Sequence, residues 1–256
     1  MKVVNNYVPP PKPRVVLPDS DAPYDLNFRF PVRELESDRI KLTPLIPSIH
    51  GKALCEGIQL HPELLRYLPW APASLINDYD THYERIMRSD PSWCVFAILD
   101  KAKLTDETDK TQGHALAGAM GYLRADPESA SIEIGYAIVL PAYQRTFVST
   151  HAIGLLLRYA LDLPVDGGLG LRRVQWQAHA DNAPSIRAAQ RMGMKLEGIM
   201  RWQRQWPADK VDACLGREGD ALGPEGGRHS AMLAICWDDW EDGGRELVRK
   251  LMDRTS

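Results

Sequence analysis

The chain has 256 residues, 44% hydrophobic and 25% charged, with a formal net charge of −3. Thirty-one Lys and Arg against 34 Asp and Glu exclude the basic excess on which binding to nucleic-acid phosphates rests. No run approaches the roughly 18 apolar residues of a membrane span, and no apolar leader opens the chain, so a cytoplasmic protein without membrane attachment is expected. Cys55, Cys94, Cys214 and Cys236 show no CxxC spacing. They read as free thiols rather than a disulfide frame or a zinc site, and no metal is expected.

Residues 1–26 hold six prolines, which remove backbone donors and stiffen the chain, so an extended N-terminal arm is expected. One domain is expected from residue 27 to 256. Arg39–Thr43 alternates up to Pro44 and predicts a first strand. Apolar residues three and four apart in Ile49–Gln59, Glu63–Tyr67 and Tyr79–Met87 predict short helices. Trp93–Leu99 suits a buried strand, Lys101–Gly113 a solvated hairpin loop, and Ala115–Arg124 a glycine-containing strand.

Ser131–Leu140 alternates, placing Ile132, Ile134, Tyr136 and Ile138 on one face and Glu133, Gly135 and Ala137 on the other. After Pro141, Ser149 or Thr150 is expected to cap a helix to Leu163, with Ile153, Leu156, Leu157 and Ala160 on one stripe. Arg173–Ala180 reads as a strand, and Asn182 as the cap of a helix that Gly193 stops. Lys195–Trp206 is a predicted strand, about residues 207–228 an inserted Gly/Asp-rich loop, His229–Trp237 a last strand and Trp240–Met252 a terminal helix. Strand–helix–strand units around one sheet give an α/β (α+β) class.

The turn between the Ser131 strand and its helix offers unpaired N–H groups and a positive dipole end, which suit a pyrophosphate. Arg145 adds a charge there, and Gln144, Thr146, Ser149 and Thr150 add side-chain donors. An ordinary strand–helix turn with a solvated arginine fits the same residues. Glu133-Ile-Gly-Tyr136, Tyr143-Gln-Arg-Thr146 with Thr150, Leu171–Trp176, Asn182-Ala-Pro-Ser185 and Arg191–Gly198 together resemble the GNAT N-acetyltransferase superfamily, and most closely its RimJ/RimL-like branch. The resemblance is strongest over residues 131–204 and extends more loosely from Leu35 to the end.

The resemblance implies a mixed, mostly antiparallel central sheet with a V-shaped split, flanked by helices, and acetyl-CoA as co-substrate. Ile138 and Val139 would lie beside the thioester, and Gln144, Arg145, Thr146, Ser149 and Thr150 would cradle the pyrophosphate. Asn182 and Ser185 would approach the pantetheine arm, and Arg187 or Arg191 a CoA phosphate. The superfamily's usual turn, Gln/Arg-x-x-Gly-x-Gly/Ala, here carries Arg145, Thr146, Phe147 and Val148 instead of glycines. Where many relatives hold a proton-donating tyrosine, this chain has Ala189, beside Ala188.

Acetyl transfer to an amine needs a neutral nucleophile, whereas a free alkylamine has a pKa of about 10.4, so a base is required. Glu133 is the first candidate, and His179 the second. The thiolate is a fair leaving group, with a pKa of about 8.5, and Ser185 is the candidate acid that could relay a proton to it. Tyr136 and Tyr143 read as packing residues.

The acceptor, a small-molecule or peptide amine, would be lined by Tyr67, Trp70 and Trp202, with Trp206 nearby. The acidic residues of the inserted loop suggest a lid that attracts a cationic amine. A GNAT-like protein that binds CoA, or serves as a scaffold, with little or no turnover is the alternative function. The sequence leaves monomer and homodimer equally open.

Overall fold

The alternating segments become eight strands of one sheet in the computed structural model, which describes residues 3–9, 22–69, 78–104, 113–207, 210, 213–222 and 225–254. In chain order these are β1 (Leu35–Glu36), β2 (Ile40–Pro44), β3 (Cys94–Leu104), β4 (His114–Asp126), β5 (Ser131–Val139), β6 (Arg173–His179), β7 (Lys195–Trp206) and β8 (Gly226–Cys236). They lie in the order β1-β2-β3-β4-β5-β6-β8-β7, antiparallel throughout except for β5 and β6. The expected mixed, mostly antiparallel sheet is thus present.

Helices cover both faces. α1 (Lys52–Leu60) and α2 (Tyr79–Tyr83) pack with Val95, Ala97, Leu99, Tyr136 and Ile138 on one face. α3 (Phe147–Leu161), α4 (Ala183–Arg191) and α5 (Arg245–Met252) cover the other, over Phe96, Ile98, Ile132, Ile134, Val174 and Trp176. Burying a full apolar side chain is worth about 1.5–3 kcal/mol, so these two cores on opposite pleats pin the register of every central strand. Before β1, Phe28, Phe30 and Val32 also pack against the larger core.

Two local features differ from the simple alternation. Tyr136 has φ 51°, and the β4–β5 register shifts between Ala119 and Gly121, so β5 carries a bulge. Beyond the bulge the two faces of β5 are exchanged. Ile132 and Ile134 lie in the core under α3, whereas Tyr136 and Ile138 lie in the core under α1. Gly118, φ 153°, makes room for the bulge: a Cβ there would sit 2.1 Å from the Ile138 carbonyl oxygen.

The second feature is the cap of α3. It is Thr146, whose Oγ1 accepts from the Val148 N–H at 3.3 Å, rather than Ser149 or Thr150. Those two therefore stand in the first turn. Asn182 caps α4 as expected, accepting from the Ser185 N–H at 3.2 Å. β8 begins at Gly226, before the expected His229, because Gly226, Gly227 and Arg228 pair with Trp206, Gln205 and Arg204. Trp70, residues 10–21 of the Pro-rich arm, 105–112 of the hairpin loop and parts of the loop after Trp206 lie outside the described residues.

Candidate active site at the sheet split

β5 and β6 pair at only three rungs, Ser131 with Arg173, Ile132 with Val174 and Glu133 with Gln175. Beyond Glu133 the strands diverge, so among the described residues β5 has no strand partner on its β6 side from Ile134 to Val139. Into that split opens a cleft of about 740 Å³.

Its walls come from the elements already placed. Ala137 and Val139 belong to β5, turned toward the cleft by the bulge. Gln144, Arg145, Thr146, Phe147, Ser149 and Thr150 come from the turn and first turn of α3, and Asn182, Ser185, Ala188 and Arg191 from α4. Leu64 also lines the cleft, although it packs against the core on the α1 face, so the cleft reaches through the split.

The turn at the cleft is open despite its lack of glycine. Val148 is fully buried in the core. The Phe147 ring is held under the Arg39 guanidinium at 3.6 Å, with the His151 ring at 5.7 Å. Arg145 takes the left-handed conformation, φ 60°, that a glycine would adopt without strain, and its side chain is exposed. Gln144 Nε2 donates to the Val139 carbonyl at 3.0 Å, tying the turn to the end of β5.

Several side chains are already engaged. Thr146 Oγ1 donates to the Tyr143 carbonyl at 2.6 Å besides capping the helix, so its hydroxyl serves the turn itself. Arg191 Nη2 donates to Thr150 Oγ1 at 3.0 Å, which carries a guanidinium from α4 to the first turn of α3. Ser185 Oγ accepts from the Trp176 indole N–H at 2.9 Å, leaving its own proton to be donated into the cleft.

Three expected residues stand elsewhere. The bulge sends Ile138 into the core on the α1 face, so of the Ile138–Val139 pair only Val139 lines the cleft. Arg187 is exposed on α4 and is not among the cleft walls. Ala189 is fully buried in the core, and Ala188 is the α4 alanine that reaches the cleft.

The acceptor candidates occupy the opposite face. Tyr67 and Trp206 flank the ring of buried His179, at 5.2 and 5.4 Å between centroids. Trp202 sits instead over Gly227 and His229, at positions of β8 alternate to Arg228. Glu133 projects to the same face as His179, because Ile132, Ile134, Val174, Trp176 and Ala178 all turn toward α3.

Glu133 is 3% exposed, and its Oε2 accepts from Arg124 Nη1 at 2.8 Å and from Gln175 Nε2 at 3.4 Å. Burial raises its carboxyl above the ordinary range, against the lowering pull of Arg124, Arg204 and the Gln175 amide. The place a Gly135 side chain would fill beside it is taken by Leu123, whose Cδ1 lies 2.2 Å from where a Cβ would stand.

Sequence patterning missed the walls supplied from afar, among them Leu64, Met120, Leu251 and Arg254. It also missed Arg124, Arg204 and Arg228 around Glu133. For the arginines a signal existed, since Arg204 lies within a segment that reads as a strand and Arg228 immediately precedes another.

The Acetyltransferase (GNAT) domain family matches residues 39–195, more than half of the chain. No curated protein matches the sequence. Among solved structures, a GCN5-related N-acetyltransferase from Brucella melitensis superposes with a TM-score of 0.65 at 23% identity, covering 96% of this chain and 90% of that one. RimJ of Mycobacterium smegmatis in complex with CoA-disulfide gives 0.57 at 13% identity, covering 82% of this chain and 88% of that one. RimL, a ribosomal L7/L12 α-N-protein acetyltransferase, in complex with coenzyme A gives 0.57 at 18% identity, covering 81% and 99%. Identities this low speak for the fold, and the family match speaks for membership: the chain belongs to the GNAT acetyltransferase family, with RimJ and RimL among its structural neighbours.

Proposed function

We propose that the protein is an acetyl-CoA-dependent N-acetyltransferase that transfers the acetyl group directly to a primary amine. The observation that carries this is the split after Glu133, with an anion-suited turn on one face and a buried carboxylate on the other. Acetyl-CoA supplies the activated acetyl group as a thioester. Gln144, Arg145, Ser149, Thr150 and Arg191 hold the diphosphate and adjoining phosphate, aided by the N-terminus of α3. Val139, Asn182 and Ser185 flank the pantetheine arm.

Glu133 takes a proton from the acceptor ammonium, directly or through a water. The freed lone pair forms the C–N bond at the thioester carbonyl carbon, and the C–S bond breaks with its electron pair on sulfur. The second amine proton ends on the thiolate, for which Ser185, its oxygen already polarised by the Trp176 N–H, is the relay. Direct transfer is supported at two of the cysteines, Cys55 and Cys94. Burial pushes the Cys55 thiol up to about 11 and Cys94 up to about 12, far from a nucleophilic thiolate. All four cysteines are free thiols, in keeping with a reducing cytoplasm. Among the described residues no helix is long and apolar enough to cross a membrane.

Acetyl-CoA is expected to raise the thermal midpoint in a concentration-dependent way, and amines to release free thiol. No shift well above micromolar acetyl-CoA would refute the assignment. Ala188 and Ala189, which offer no proton, favour one rival, a CoA-binding protein with little turnover. A midpoint shift without thiol release across a broad amine panel would select that rival.

A further inference from the structure

On the face of the sheet away from α3, the register of β7 and β8 sets Arg204 directly opposite Arg228. Like charges facing each other across a strand pair destabilise a sheet, and here Arg228 is buried and Arg204 half-buried. Arg124 bonds to Glu133 at 2.8 Å, and Arg204 and Arg228 lie within electrostatic reach of the same carboxylate. Among the described residues, three guanidiniums thus share one carboxylate.

The imbalance is accompanied by unused donors. Arg228 is 5% exposed, with Nη1 on the Tyr67 carbonyl at 3.4 Å and its guanidinium 5.4 Å from the Trp206 ring centre. Its Nε, and the Nε1 of fully buried Trp206, have no hydrogen-bond partner among the described residues. Buried donors without an acceptor are costly, and two of them beside surplus positive charge call for an anion. Burial and the cationic surroundings pull the Arg228 pKa down to about 10, still far above neutral, so the charge is present at working pH.

One residue of the inserted loop, Lys210, adds to the same sign. Lys210 Nζ donates to the Leu65 carbonyl at 2.5 Å and to the Leu68 carbonyl, and lies 5.2 Å from the Trp206 ring centre. Lys210, within the segment that reads as an acidic lid, therefore brings a cation to this wall.

We infer that the acceptor is an amine bearing a carboxylate, held by Arg204, Arg228 and the Trp206 indole N–H beside Glu133, as a free amino acid or an acidic peptide N-terminus would be. A bidentate guanidinium–carboxylate pair fixes orientation as well as charge, which presents the amine rather than the acid to the base. The inference rests on the acetyltransferase assignment for the reaction, but the carboxylate site itself does not.

The test uses the full chain. N-acetyl amino acids, N-acetylated acidic dipeptides and the corresponding amides are titrated in a thermal-shift assay, with acetyl-CoA titrated separately. The same free amines and their amides are then compared by thiol release. Carboxylates are expected to raise the midpoint where amides do not, and free acids to exceed amides in kcat/KM by about tenfold or more. Whichever of the amino acid and dipeptide shifts further identifies the source.

Arg204→Gln, on a half-buried residue, is expected to abolish that preference while leaving the acetyl-CoA shift unchanged. Arg204→Lys is expected to restore part of it. Equal response to acids and amides, or no response to either, would overturn the inference while an acetyl-CoA shift left the assignment standing. No acetyl-CoA shift would overturn the assignment while a carboxylate shift left the site standing.

Discussion

Glu133→Gln separates chemistry from architecture at the split. The substitution keeps the shape of the side chain and allows its amide oxygen to accept from Arg124 Nη1, which now donates at 2.8 Å. What it removes is the carboxylate that, among the described residues, three arginines share, and with it the proposed base. A positioned general base contributes roughly 10²–10⁴-fold, so kcat is expected to fall by about a hundredfold or more, at least ~2.7 kcal/mol of transition-state stabilisation. The acetyl-CoA shift should be unchanged, because Glu133 is absent from the walls of the cleft.

The pH dependence of stability provides a second, independent reading of the same variant. Burial raises the Glu133 carboxyl above its reference of 4.5 despite the arginines, so the folded state holds this proton more tightly than the unfolded chain. The contribution is therefore fully present below about pH 4.5 and is lost as pH rises through the raised folded value. Glu133→Gln lacks this dependence. Its stability relative to wild type should rise with pH across that window, measured by denaturant unfolding at several pH values. A slope of opposite sign would mean that Arg124 and its neighbours outweigh burial. A kcat within about threefold of wild type, with the acidic limb of the pH–rate profile intact, would refute a base at Glu133.

Arg145→Gly should relieve left-handed strain of about 1 kcal/mol and raise the thermal midpoint, while acetyl-CoA affinity measured by titration falls about tenfold. Thr146→Val deletes the α3 cap and should cost about 1 kcal/mol in denaturant unfolding. Ser185→Ala should lower kcat in the thiol-release assay, with acetyl-CoA affinity within about threefold, if its hydroxyl relays the proton. Gly118→Ala places a methyl against the Ile138 carbonyl and should cost about 3 kcal/mol or more, seen as loss of the cooperative thermal transition at moderate temperature.

How far the fold could be read in advance depends on the range of the forces involved. Strands such as Arg173–His179 and helices such as Phe147–Leu161 are set by local alternation and periodicity, and they form in the segments those patterns mark, although the helix starts and ends earlier than expected. The α4 cap at Asn182 is equally local. The bulge at Tyr136 is not, because it depends on how closely β4 approaches at Gly118, a non-local contact absent from the periodicity of β5. Its consequence is the exchange of Ile138 for Ala137 at the cleft. The arginines around Glu133 escape pattern reading for a similar reason. Arg124, Arg204 and Arg228 come from three strands, and the β4–β5, β5–β6, β6–β8 and β7–β8 pairings are all needed to bring them toward one carboxylate.

The turn proposed to hold the diphosphate shows how a departure from glycine is absorbed. Glycines in such a turn do two things: they allow a left-handed backbone and they keep side chains out of the anion's path. In this chain the two tasks are divided. Arg145 takes the left-handed position itself, and residues held in sparsely populated backbone conformations persist where the surroundings over-determine them. Here the surroundings are visible: Thr146 bonds on both sides of the turn, and Gln144 is fastened to β5. Clearance comes from the neighbours, since Val148 is drawn into the core and Phe147 is clamped beneath Arg39. The residue that bears the strain is also the one that carries the charge, so the cost falls where the proposed diphosphate would repay it.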